Sequence, residues 1–333
     1  MKAAYWVISG AIALAGIVLM ATGRMMANGA SKVQGSDGSA DQRVEHFASV
    51  QNLDVDLGSA DVKITAAKDA EDITVAVVNP RDNLVIENDH DTLVIKEKAE
   101  VSIFNFDFNQ KAMQTYITIP EGTDFQNVKV ALGSGNVTDM SSFAANAVDV
   151  KIGSGNAAVQ ELKIAKDCDV KCGSGNASME RCEVDGKGNL KTGSGNFAVN
   201  GCSFGEDLTA RCGSGNMTID GTKIAKDMTA HFGSGHLTGE GLEIGGKTNW
   251  EFGSGKVALN GFKPAKDVDI HVGSGDVDLS LIGTQDDYGI VTKDLSGDVT
   301  IGDKKMKDVE DLRSGKPTIT VKGGSGDVSI NFE

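Results

Sequence analysis

The chain has 333 residues, room for one large domain or two ordinary ones, and a formal net charge of −15. That charge excludes nucleic acid as the main partner, because phosphate binding needs a basic footprint. Glycine supplies 42 residues and aromatic side chains only 5%, a profile of many tight corners rather than the large side chains of an α/β core.

In chain order, the first feature is AAYWVISGAIALAGIVLMATG, Ala3 to Gly23, which carries no charge. Its length is close to the ~20 residues a helix needs to cross a bilayer. Lys2 and Arg24 bracket it. A signal peptide is the competing reading, but its apolar core is usually shorter, and Arg24 sits awkwardly before a cleavage after Gly29. The expectation is an uncleaved membrane anchor over 1–29, with flanking charges that leave its orientation open. No cysteine lies near it, which argues against a lipoprotein. Residues 30–43 are small, polar and turn-rich and read as a linker.

Strands follow. LDVDLGSADVKI, Leu53 to Ile64, alternates apolar and polar residues on both sides of Gly58-Ser59, the period-2 mark of a half-buried strand. DITVAVV, NLVIEN, TLVIKEK and TYITIP continue in the same style, and residues 44–112 read as an N-terminal β-strand capping region. Within it, SIFNFDFNQ sets Phe104, Phe106 and Phe108 on one face. They are expected to close the core of that segment, with an exposed contact patch as the alternative.

The chain then repeats itself. Gly-Ser-Gly begins at Gly133, Gly153, Gly173, Gly193, Gly213, Gly233, Gly253 and Gly273, with an unvarying period of 20 residues. A fixed period of this length without helical patterning is the signature of a solenoid. With the first glycine as offset zero, offset 4 reads Val137, Ala157, Ala177, Phe197, Met217, Leu237, Val257 and Val277. Offset 17 reads Val150, Val170, Leu190, Ala210, Ala230, Trp250 and Ile270, and offset 19 is apolar in most coils. Offsets 9 and 11 are mostly apolar too, as in Leu162, Cys182, Cys202, Ile164 and Phe204. Each turn of chain thus has three short apolar-in stretches.

Three corners separate them. Gly-Ser-Gly is one, where glycine is expected to supply the positive φ of a sharp turn. Asn200-Gly201, Asp220-Gly221 and Asn260-Gly261 mark the second, and Ala165-Lys166-Asp167 and Ala225-Lys226-Asp227 the third. The predicted fold class is all-β: a parallel β-helix, or β-solenoid, of 20-residue coils over 113–292. A C-terminal β cap over 293–333 follows it, and an N-terminal transmembrane helix precedes it. Crossovers are expected to be right-handed, and coils about 4.8 Å apart give the eight copies a length of roughly 40 Å.

The columns carry the candidate chemistry. Asn136, Asn156, Asn176, Asn196 and Asn216 share offset 3, where stacked amides can pass hydrogen bonds from coil to coil. His236, Lys256 and Asp276 continue that column. At offset 18, Lys151, Lys171, Lys191 and Arg211 form an outward basic strip, followed by His231 and Glu251. It is read either as a site for an anionic polymer or lipid headgroups, or as a solvated face that discourages sheet stacking, with Asp149 and Asp169 giving partial relief. Small residues at offset 5, such as Thr138, Ala158 and Ser178, make a flat surface that could meet a glycan or another rod.

Eight repeated serines cannot each own a base and an oxyanion hole, so an enzyme is not expected. No cofactor is expected. The five cysteines lack Cys-x-x-Cys spacing, and no metal site is expected. Cys182 and Cys202 fall in adjacent coils within disulfide reach, and both a bridge and two core thiols stay open.

Leu53-Asp54-Val55-Asp56-Leu57-Gly58-Ser59-Ala60-Asp61-Val62, Ile117-Thr118-Ile119-Pro120 and the closing GSGDVSINF resemble the bacterial putative-adhesin family of β-strand-repeat proteins of unknown function. The resemblance covers about residues 44–333. It implies a β-solenoid exposed at the bacterial cell envelope, with no established catalysis and no functional residues to carry over. The function expected is therefore a non-enzymatic, single-pass cell-membrane protein whose extracytoplasmic solenoid meets an anionic envelope polymer or surface glycan. A bactofilin-like scaffold on the cytoplasmic face and an envelope-stress sensor are the alternatives.

Overall fold

The computed structural model describes residues 31–33, 41–98 and 111–333. The proposed anchor, most of the linker, and Phe104, Phe106 and Phe108 lie outside the described residues. Among the described residues no helix is long and apolar enough to cross a membrane.

The fold is all-β and built from stacked coils. A representative coil has a four-residue strand Ala177–Glu180, a two-residue strand Glu183–Val184 and a five-residue strand Gly188–Thr192. Each pairs in parallel with its counterpart 20 residues on, as in Ala177↔Phe197, Val184↔Phe204 and Leu190↔Ala210. The four-residue strands stack into one sheet, and the two- and five-residue strands into a second.

Alternation fixes which side chains face inward. In Cys168–Cys172, residues 168, 170 and 172 are buried while Asp169 and Lys171 face outward. The same rule at every level yields a continuous core from Val50 to Ile330. Core columns depart from the apolar pattern at isolated positions, such as the buried Thr192 at offset 19 and Thr222 at offset 9. Offset 15 includes Gly188 and Thr248 among Cys168, Leu208, Met228 and Val268, and offset 6 includes Gly239 among Met179, Val199, Ile219 and Leu259. At Gly188 the missing side chain makes room for Phe204, whose ring would lie 2.5 Å from an added Cβ.

The corners differ from expectation in their physical cause. Positive φ occurs at the second corner, at Gly201 (61°), Gly221 (53°), Gly241 (65°) and Gly261 (60°), and Glu161 and Arg181 hold the same conformation in earlier coils. The glycines of Gly-Ser-Gly are not in that region. Their requirement is close approach: a Cβ on Gly195 would lie 1.7 Å from the carbonyl oxygen of Gly175 in the coil below. The same clash recurs at Gly155, Gly175, Gly215 and Gly235 at 1.7 Å. Backbone meets backbone at this corner, and only glycine leaves the space.

Both ends of the stack depart from chain order. The coil formed by Asn52–Leu57 and Ala60–Ala67 lies beneath Asp124–Leu132 and Val137–Ser141, with Thr92–Glu97 and Met113–Pro120 on its other edge. At the far end, Thr318–Gly323 and Val328–Phe332 slot between the coil of Val268–Val272 and Val277–Leu281 and the later-stacked Gly289–Lys293 and Val299–Ile301. Gly58-Ser59, Ser296-Gly297 and Gly324-Ser325, the weaker echoes of the repeat, are the corners of these coils: Ser134 donates its N–H to Gly58, Gly324 to Gly273, and Ser296 to Gly324. Antiparallel strands close both ends, Lys304–Met306 and Glu310–Asp311 at one and Gln42–Phe47 and Leu84–Asp89 at the other.

Candidate binding groove

Stacking turns every outward position into a column. Five-residue strands in register set Lys151 opposite Lys171, Lys171 opposite Lys191, Lys191 opposite Arg211 and Arg211 opposite His231. Glu251 and His271 continue the line, and Lys322 of the inserted coil follows. All four residues of the predicted basic strip thus stand on one face, side by side.

Beside them runs a shallow groove. Its lower half is lined by Lys151, Lys171, Gly153 and Gly173, and its upper half by Lys191, Arg211, Gly213 and Gly233. The floor is therefore the first glycine of each Gly-Ser-Gly, and the wall is the charged column. Phe232 and Phe252, stacked at 4.8 Å between ring centroids, underlie the upper part.

Charge along the wall is uneven. Lys171 pairs with Asp169 at 3.3 Å, and Lys151 with Asp149 at 2.5 Å. The Asp149 hydrogen bond, followed by the fields of Asp149 and Asp169, raises the Lys151 ammonium above the ordinary lysine range. One coil further the acid column becomes Asn189 and then Thr209. Among the described residues no carboxylate forms an ion pair with Lys191 or Arg211. Both are exposed. His231 lies 2.9 Å from Glu251, which ends the cationic stretch.

On the other side of the corner lies the asparagine column. Asn156 donates its backbone N–H to Oδ1 of Asn136 at 2.9 Å, Asn176 to Asn156 at 3.0 Å, Asn196 to Asn176 at 3.0 Å, and Asn216 to Asn196 at 3.2 Å. Side-chain Nδ2 groups of Asn156, Asn176 and Asn196 donate to the same oxygens. Below, Asn136 donates to Asp61, and above, His236 donates its N–H to Asn216. Each side-chain oxygen thus satisfies a corner amide of the next coil, worth about 1 kcal/mol net. A second ladder, of aspartates, runs along the third corner. Asp167 accepts from the N–H of Lys187, Asp227 from that of Lys247, and Asp267 from that of Thr318, at the third corner. Its signal in the sequence is the recurrence of Asp at that offset.

The remaining polar chemistry is sparse. All five cysteines are free and buried. Burial pushes the Cys168 and Cys172 thiols up, and that of Cys212 to about 11, so none of these three is poised as a nucleophile. His231 and His271 fall two coils apart in the outward column, separated by Glu251. Among the described residues no three His, Cys, Asp or Glu side chains converge to hold a metal ion.

A family model described as Toastrack DUF4097 matches residues 50–331, and the chain belongs to that family. Among solved structures, it is similar to a putative lipid binding protein from Parabacteroides distasonis, with 17% identity, coverage of 88% of this chain and 97% of that one, and a TM-score of 0.47. It is also similar to a putative adhesin from Parabacteroides merdae, with 12% identity, 88% and 97% coverage, and a TM-score of 0.47. A putative adhesin from Bacteroides fragilis is similar at 13% identity, 89% and 100% coverage, and a TM-score of 0.34. No curated protein matches the chain.

Proposed function

For this member of the Toastrack family, we propose a non-enzymatic role in surface interactions at the bacterial cell envelope, with the stack held to the membrane by the apolar segment Ala3 to Gly23. The observation that carries the reading is the in-register repetition of outward side chains, above all the column Lys151, Lys171, Lys191 and Arg211 beside its groove. A rigid row of like groups engages a repetitive partner through many weak contacts, and linking them multiplies affinity without any single strong site. The partner class is an anionic envelope polymer or surface glycan.

The antiparallel strands at both ends favour this reading over a bactofilin-like scaffold, which needs open coil ends to polymerise. An envelope-stress sensor would share the same location. The test is protease treatment of intact cells carrying one tag in the linker near Gly38 and another after Glu333. Loss of both tags is the expected result. Protection of both until lysis would overturn the envelope location and make the scaffold the reading to pursue.

A further inference from the structure

The wall of the groove presents four cations, and among the described residues two of them, Lys191 and Arg211, have no carboxylate partner. Lys151 and Lys171 each hold a carboxylate of their own strand, whereas Lys191 and Arg211 face Asn189 and Thr209. These two stand in adjacent coils, about 4.8 Å apart. Next to them the floor is the exposed backbone of Gly213 and Gly233, with no side chain to hold a ligand away. Beneath its upper part the rings of Phe232 and Phe252, almost wholly buried, back the corner and hold it rigid.

Resting on the envelope reading above, we infer that this segment of the groove binds an extended acidic polysaccharide, with sugar rings lying along the glycine floor and uronate carboxylates held by Lys191 and Arg211. The flat C–H face of a pyranose suits a floor of bare glycine backbone, and polar sugar edges remain in water. Arg211 presents a planar fork matched to a carboxylate, and Lys191 a mobile point charge. One carboxylate per ring suits two cations one coil apart. A phosphate-dense polymer needs far more neutralising groups than this segment offers. A flat anionic membrane would have to approach the whole face of a protein with net charge −15, including Asp149, Asp169 and Glu251 in and beside the same column. A thread needs only the groove.

The test uses the full chain and polygalacturonate as the probe, by titration calorimetry at low salt. Methyl-esterified polygalacturonate, polyphosphate and phosphatidylglycerol vesicles serve as comparators. The double variant K191Q/R211Q is expected to lose about tenfold or more in affinity for polygalacturonate, and K151Q/K171Q, in the same column but already paired with Asp149 and Asp169, to lose less, about twofold to threefold. The esterified polymer is expected not to bind. Unchanged thermal melts in both variants establish that the stack is intact. Equal losses in the two double variants, no binding at low salt, or tighter binding of polyphosphate or vesicles would each overturn the site. Protected tags in intact cells, with polygalacturonate binding present, would instead overturn the envelope location and leave the site standing.

Discussion

The tightest constraint in the stack is the second glycine of each Gly-Ser-Gly, and substituting Gly195 by alanine measures it. The new Cβ would sit 1.7 Å from the Gly175 carbonyl oxygen, and this contact must open to at least 3.0 Å. Neither side of the clash is a side chain that can swing away; both are backbone. Lifting the corner by that amount takes three bonds beyond hydrogen-bonding range: Gly193 and Ser194 N–H to Gly173, each 3.0 Å, and Asn196 N–H to Asn176 at 3.0 Å. At about 1 kcal/mol net per bond the cost is about 3 kcal/mol. Gly201 to alanine is the control. Its φ of +61° strains any other residue by about 1 kcal/mol, but the nearest atom to its Cβ is Arg181 Cγ at 3.8 Å. Urea melts followed by fluorescence of Trp250, which is fully buried in the same stack, compare the two. G195A is expected to melt well below G201A. Equal midpoints, or a larger loss for G201A, would refute the steric reasoning and return the corner to a matter of φ.

Other expectations follow from buried polar groups and from titration. Thr248 Oγ1 is buried without a hydrogen-bond partner among the described residues, whereas Thr222 Oγ1 donates to the Asp220 carbonyl at 3.0 Å. T248V is therefore expected to stabilise by about 1 kcal/mol and T222V to destabilise by a similar amount; shifts of the same sign in urea melts would contradict this. At the far cap, Asp287 accepts the Thr284 N–H, a Lys316 ammonium hydrogen and the Thr284 hydroxyl, and these bonds hold its carboxyl down to about 2. Its folded value lies below the ordinary 3.8, so its contribution is complete above the ordinary value and is lost as pH falls through about 2. Hydrogen exchange around Gln285–Asp287 is expected to quicken only in that acid window, and D287N to remove the dependence. An opening midpoint near neutral pH would exclude Asp287 as its cause. Finally, the buried thiols are expected to resist maleimide in the native protein and to react on denaturation; rapid native labelling of Cys168 would show that the coils open locally.

Much of the fold is legible in the sequence because each coil's neighbour is its own counterpart 20 residues away. Lateral contact in such a stack is written as periodicity, so Leu190, Ala210 and Trp250 declare one core column without any knowledge of the third dimension. The same logic places Lys151, Lys171, Lys191 and Arg211 on one face. Their unequal pairing is also readable, since Asp149 and Asp169 give way to Asn189 and Thr209, but its weight depends on distances that only geometry supplies. Two matters lie beyond the pattern. The role of Gly195 comes from the backbone of another coil, which no local propensity records. The inserted positions of Asn52–Ala67 and Thr318–Phe332 are set by which open edge each coil meets, and alternation along a strand is identical for either edge.

Those inserted end coils govern how the molecule carries force. A tether joined ahead of Gln42–Phe47 delivers its load to that strand and then to the coil beyond it. That coil is held along both edges, by Thr92–Glu97 and Met113–Pro120 on one side and Asp124–Leu132 and Val137–Ser141 on the other. It has no free margin from which to peel, so two ladders must yield together. The opposite terminus is gripped in the same way, between Val268–Leu281 and Gly289–Ile301. A rod stacked strictly in chain order would unwind from its tip like tape from a reel. This one passes tension inward to its central coils, where a drag on the groove is shared along the whole column.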